Sequence, residues 1–192
     1  MADIHYTITL FSDWHCGSGQ SSGPDSDKLV KKDKYGLPII PGRTIKGLLK
    51  EAAYDLFEDT DGFSEFVKSC FGSKSDSKDP VSKNVFHYSN ANLPAIEINY
   101  LKGKPNEISK LYRNIPFNRI MEETGTTDEN SLHSMQVTIP LTLNGKIMNI
   151  PKAYLSQIEA CMKMIKRLGN KRNRGFGRCR FFVDENREGG LL

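Results

Sequence analysis

Residues 152–183 read KAYLSQIEACMKMIKRLGNKRNRGFGRCRFFV, and this stretch decides the fold. Tyr154, Leu155, Ile158, Cys161, Met162 and Ile165 recur at helical spacing, which predicts a helix over 152–168. Arg180-Phe-Phe-Val183 is aromatic and β-branched, which predicts a short final strand. Between them lies Gly169-Asn-Lys-Arg-Asn-Arg-Gly-Phe-Gly177, whose glycines allow tight folding and close approach to a ligand. The chain therefore closes on a helix, a basic glycine-rich loop and a strand.

Working outward, His5–Phe11 is β-branched and aromatic and predicts a first strand. Residues 12–33 are rich in Gly, Ser, Asp and Lys and predict a long loop. Leu37-Pro-Ile-Ile-Pro-Gly42 approaches a helix in extended form. Ile45, Leu48, Leu49, Ala52, Ala53, Leu56 and Phe57 then mark one face of a helix over 43–57. Residues 62–71 predict a short second helix, 73–83 a polar loop, and 85–89 a strand. Residues 94–136 carry no clear period. Val137–Leu143 alternates as a strand and runs into Asn144-Gly145, a hairpin-turn signal. The order strand, helix, strand, strand, helix, strand, with an insertion before the third strand, predicts an α+β fold. It is the ferredoxin-like, RNA-recognition-like βαββαβ pattern with long loops.

Of 192 residues, 38% are hydrophobic and 26% charged, a globular composition for one domain. No apolar run is long enough to span a bilayer, and the N-terminus lacks the basic and apolar regions of a secretory signal. Cys16, Cys70, Cys161 and Cys179 are widely spaced, which argues against a disulfide framework or a zinc site and for reduced thiols in the cytoplasm. The net charge of +4 conceals an asymmetry. Residues 160–183 hold eight bases and no acid, leaving 19 bases against 23 acids elsewhere. Such a concentration fits a polyanion site better than a solvated helix face.

Three segments carry chemistry. In the glycine-rich loop, Lys171, Arg172 and Arg174 interleave with Gly175 and Gly177, and cations beside backbone amides suit phosphates. It is no nucleotide-binding P-loop, since Gly-x4-Gly-Lys-Ser/Thr occurs nowhere in the chain. In Trp14-His-Cys-Gly-Ser-Gly-Gln20, His15 fits a base, a ligand or a turn residue. In Asp25–Asp33, a lone carboxylate could hold a divalent cation near phosphates.

Together, His15-Cys-Gly-Ser-Gly19, Asp27-x-x-Val30-x-x-Asp33, Gly36-Leu-Pro-Ile-Ile-Pro-Gly-Arg-Thr-Ile-Lys-Gly47 and Gly169–Gly177 resemble the RAMP superfamily. More narrowly, they are similar to the backbone subunits of type III CRISPR effector complexes. The motifs span residues 5–183 and imply one domain over 1–192 with a thumb hairpin inserted at about 105–136. Asn118–Gly125 resembles the start of that thumb. Arg43-Thr44 and Lys50 depart from the usual pattern, as do Glu122 and Glu123 in the thumb.

The resemblance implies a subunit that binds guide RNA and cuts paired target RNA within a complex of CRISPR effector subunits, including copies of itself or related chains. Asp27 matches the aspartate required for metal-dependent cleavage, with magnesium or manganese as cofactor and Asp25 as the fallback position. His15, Gly17, Ser18 and Gly19, then Arg43, Thr44 and Lys46, and finally Lys171, Arg172, Arg174, Gly175 and Gly177 are the expected RNA contacts. Two alternatives stay open: a noncatalytic RNA-binding scaffold, and a guide-processing endoribonuclease using His15 as base.

Overall fold

The computed structural model describes residues 1–19, 28–72, 86–117 and 133–184. Asp25, Asp27 and Asn118–Gly125 fall outside them. In chain order the elements are β1 (Ala2–Leu10), α1 (Gly42–Phe57), α2 (Phe63–Phe71), β2 (His87–Tyr88), α3 (Ala95–Leu101), α4 (Pro105–Ser109), β3 (Tyr112–Phe117), β4 (His133–Thr138), β5 (Thr142–Ile150), α5 (Leu155–Met164) and β6 (Cys179–Val183).

β1 alternates as a half-buried strand must: Ile4, Tyr6, Ile8 and Leu10 are buried, while His5 is exposed and Thr7 and Thr9 half-buried. It lies inside a four-stranded sheet of order β2-β5-β1-β6, antiparallel throughout. This is the strand order of the split βαβ core read from the sequence. α1 and α5 pack together over one sheet face, α1 burying Ile45, Leu48, Leu49, Ala52 and Ala53 and α5 burying Ile158, Cys161 and Met162. α1 docks closely because Gly42 has no side chain; a β-carbon there would lie 2.0 Å from the Tyr88 carbonyl oxygen.

All four cysteines are free and buried. Burial pushes the thiols of Cys16, Cys70, Cys161 and Cys179 up to about 12.

The structure corrects two expectations. Val137–Leu143 is not one strand, and Asn144-Gly145 is not a turn. β4 ends at Thr138, Pro140 interrupts pairing, and Asn144-Gly145 lies within β5 opposite Thr7 and Tyr6. Gly145 makes room for the Tyr6 ring, since a β-carbon would lie 2.4 Å from its hydroxyl oxygen. The last helix is also shorter than its apolar period. It opens on a 3-10 turn at Lys152–Tyr154 and ends at Met164, after which Ile165 is extended. The following backbone pairs elsewhere: Cys179 N–H donates to the Lys166 carbonyl at 2.9 Å and Leu168 N–H to the Gly177 carbonyl at 2.9 Å.

Within 94–136, α3, α4, β3 and β4 appear; β3 and β4 form a separate two-stranded sheet. No helix among the described residues is long and apolar enough to cross a membrane.

Candidate nucleic-acid interface

Residues 13–18, which follow β1, are held by backbone bonds to three neighbours. On one side, Gly177 N–H donates to the Asp13 carbonyl at 2.7 Å and Asn170 N–H to the His15 carbonyl at 2.8 Å, which fixes the glycine-rich loop. On another, Trp14 and Thr138 exchange bonds of 3.0 and 2.8 Å, and the Trp14 indole donates to the Ile139 carbonyl at 3.0 Å. On the third, Lys31 N–H donates to the Cys16 carbonyl at 2.7 Å and Ser18 N–H to the Leu29 carbonyl at 2.9 Å. Trp14 is fully buried at the centre. The glycine-rich loop, the end of β4 and residues 29–31, remote in sequence, thus meet at one junction along residues 13–18.

Glycine chemistry closes it. Gly169 and Gly177 have φ of 82° and 65°, and a β-carbon would lie 2.4 Å from the His15 oxygen and 1.8 Å from the Leu168 oxygen respectively. Gly177 is buried, so its place is in the loop's frame. Gly175, at φ 87° with open space around it, stands at the exposed tip.

Between those glycines, Arg172–Arg174 form a 3-10 turn entered through Lys171 in left-handed conformation. The Asn170 side-chain oxygen accepts the Lys171 N–H at 2.8 Å, which supports that geometry. Lys171 Nζ lies 5.0 Å from the Phe117 ring centre, and Phe117 meets Phe176 at 5.9 Å. The loop therefore leans on β3. Asp13 and Arg113, 100 residues apart, make a second link there: Arg113 Nε donates to Asp13 Oδ2 at 2.7 Å, and a second guanidinium nitrogen meets Oδ1.

The loop and α1 enclose a cleft of about 980 Å³. Its cations are Lys28, Lys166, Arg167, Lys171, Arg172 and Arg174; its carboxylates are Glu51 and Asp55 on α1. Arg172 is partly neutralised by Glu51, Nη1 to Oε2 at 3.1 Å. The remaining excess of positive charge suits an extended polyanion, and this exposed, wide cleft admits a chain rather than enclosing a small molecule.

The structure brings Lys171, Arg172 and Arg174 together as the sequence suggested, with Gly17, Ser18 and Gly19 on the neighbouring segment. His15 lies beneath this surface at 2% exposure, its Nδ1 2.7 Å from the Gln136 carbonyl oxygen. Burial lowers its pKa, so the ring is neutral, a frame residue rather than an accessible base.

Arg43, Thr44 and Lys46 stand at the start of α1, where the Asn90 side chain accepts the Gly42 N–H at 3.0 Å. Lys46 lies five residues before Glu51, about 140° around the helix, away from the cleft. Lys32, in the stretch 12–33 read as a long loop, is half-buried with its ammonium 4.1 Å from the Tyr112 ring centre.

Glu51 was not singled out by the sequence, whereas Lys28 stands there as a base flanking Asp27. Lys28 pairs with Met135 and lines the cleft, and Asp27 is the residue before it. Among the described residues, no three His, Cys, Asp or Glu side chains form a group that could hold a metal ion.

A search of curated proteins finds no match. Solved structures do. One is a chain of the cryo-EM structure of the Type III-B Cmr-beta bound to cognate target RNA, at TM-score 0.73 and 12% identity, covering 95% of this chain and 97% of that one. Another is a chain of the Type III-B Cmr-beta apo state, at TM-score 0.67 and 13% identity, covering 96% and 98%. At such identity the likeness is one of fold. The sequence itself matches the family model of the RAMP superfamily over residues 7–180, nearly its whole length, and the chain belongs to that superfamily.

Proposed function

We propose that this chain is a backbone subunit of a type III CRISPR effector complex, binding guide RNA and cutting complementary target RNA. The cationic cleft between α1 and the glycine-rich loop is the observation that carries the reading. The main chain that carries Lys171, Arg172 and Arg174 is held at both ends by backbone bonds to Asp13 and His15, which suits tracking a phosphate backbone. The structural neighbour solved with target RNA supports the same class of ligand and assembly.

Cleavage would occur where Asp27 precedes Lys28 at the cleft wall. The 2′-hydroxyl of the target nucleotide gives its proton to solvent as its oxygen bonds to the adjacent phosphorus. The bond from phosphorus to the 5′-oxygen breaks with protonation of that oxygen by water, leaving a 2′,3′-cyclic phosphate and a 5′-hydroxyl. Proximity and charge neutralisation supply most of the acceleration in such a step. Lys28 contributes positive charge at the wall, and the fixed loops hold the RNA in line. A divalent cation, when held by Asp27, would neutralise phosphate charge. Burial of His15 speaks against its use as a base in guide processing.

The test is to assemble the complex with Asp27→Asn and follow binding and cutting of labelled complementary RNA separately. Cutting should fall by at least about a hundredfold, with binding retained. Normal cutting in Asp27→Asn and loss in Asp25→Asn would move the site two residues. Normal cutting in both would leave a scaffold role for this loop.

A further inference from the structure

The sheet face opposite α1 and α5 carries a second pattern. Register places Arg180 and Phe182 on β6 beside Thr9 and Thr7 on β1. Across β1, Thr7 and His5 stand beside Asn144 and Lys146 on β5. His87 on β2 continues the row outward next to Met148. Phe182 is 46% exposed and Phe11, at the end of β1, 53%. Arg180 lies 5.9 Å from the Phe182 ring centre. Behind Lys146 the face opens into a depression of about 550 Å³ lined by His5, His87, Ser89, Asn92 and Asn144 among others. The nearest acids by register, Asp3 and Asp184, lie beyond His5 at one end of the face.

We propose that this open face is a second track for single-stranded RNA, on the opposite side of the sheet from the helices. Phe182 would stack a base, Arg180 and Lys146 would meet the flanking phosphates, and the depression would take a neighbouring base through its amide, hydroxyl and imidazole groups. Phe182 and Lys146 sit two strand spacings apart and two residues offset along the strands, about 12 Å in all, a distance that neighbouring nucleotides of one strand can bridge.

The pattern of an exposed ring, cations beside it and uncharged polar groups between them is what sequence-tolerant single-strand binding requires. It does not suit a stable protein interface, which needs a contiguous apolar centre. Phe11 and Phe182 are isolated from each other, four residues or about 13 Å apart in register. The inference extends the RNA-binding reading, but it rests on different residues from the cleft.

The test is photocrosslinking of the full chain to a uridine-rich single strand, with adducts mapped by mass spectrometry, beside affinities of Phe182→Ala and Lys146→Gln. Both side chains are at the surface, so the variants should fold. An adduct on β6 is expected, with affinity falling at least about fivefold for Phe182→Ala and about twofold for Lys146→Gln. Adducts confined to 169–177, with both affinities unchanged, would overturn the track and leave the cleft reading standing. Absence of any adduct, with no effect of cleft substitutions either, would count against both. Protection of the β6 face by another protein in an RNA-free assembly would also overturn the proposal and assign the face to a subunit contact.

Discussion

Arg172 Nη1 lies 3.1 Å from Glu51 Oε2 across the cleft, so the cation best placed to meet a phosphate is held by a carboxylate. Both side chains are about half exposed, and such a pair contributes at most about 1 kcal/mol to stability. Incoming phosphate must displace Glu51 or share Arg172 with it. Glu51→Gln should therefore tighten single-stranded RNA binding about two- to fivefold at low salt, with the melting temperature unchanged. Anisotropy titration decides it. A weaker complex would mean that Glu51 positions Arg172 for RNA rather than competing for it.

The cleft and the start of α1 make different demands on salt dependence. If Arg174 and Lys171 neutralise phosphates, each substitution to Gln should reduce the log–log salt slope by about 0.7 on a single strand. Lys46→Gln, on another side of α1, should change it by less. Equal reductions at all three positions would mean that the bound strand passes over the helix start as well as the cleft.

Much of this was legible in the sequence. The alternation of His5–Phe11 and the helical period of Ile45–Phe57 appear as β1 and α1, because a half-buried strand and a one-sided helix need those periods. The run of bases over 163–180 pointed to the cleft, since no acid interrupts it. Other features depend on distant partners. Asn144-Gly145 has the composition of a turn, but its glycine answers to a tyrosine 139 positions earlier. The apolar period of 152–168 does not reveal that 166–168 is claimed by strand-like pairing with 177–179. Nothing local in Asp13 announces Arg113, and nothing in Lys46 shows that its helix turns it from the cleft. Asp27 lies outside the described residues.

The glycine-rich loop separates two kinds of glycine by their surroundings. At Gly177, alanine would combine left-handed φ with a β-carbon against the Leu168 carbonyl, inside a buried loop. Gly177→Ala should cost more than about 3 kcal/mol in urea unfolding. At Gly175, only the φ penalty applies, about 1 kcal/mol, because the space is open. If the two costs are equal, the contact with Leu168 is relieved by movement of the loop.

His15 gives the fold a pH dependence whose sign follows from its burial. Its imidazole is held neutral in the folded state, with its pKa below the value of about 6.5 that it recovers on unfolding. As pH falls through that region, the unfolded chain takes up a proton that the folded chain refuses, so stability declines. Above about pH 7 both states are neutral and the effect is absent. The comparison is made between the parent chain and a single substitution. His15→Gln should lower the melting temperature at pH 7.5, since a buried hydrogen-bonded ring is lost. The useful readout is the change in melting temperature between pH 7.5 and pH 5.5. That change should be smaller in His15→Gln than in the parent, because the substituted chain has one fewer proton to gain on unfolding. An identical change in both would show that His15 takes up its proton without opening the fold, and that it is reachable from the cleft surface above it.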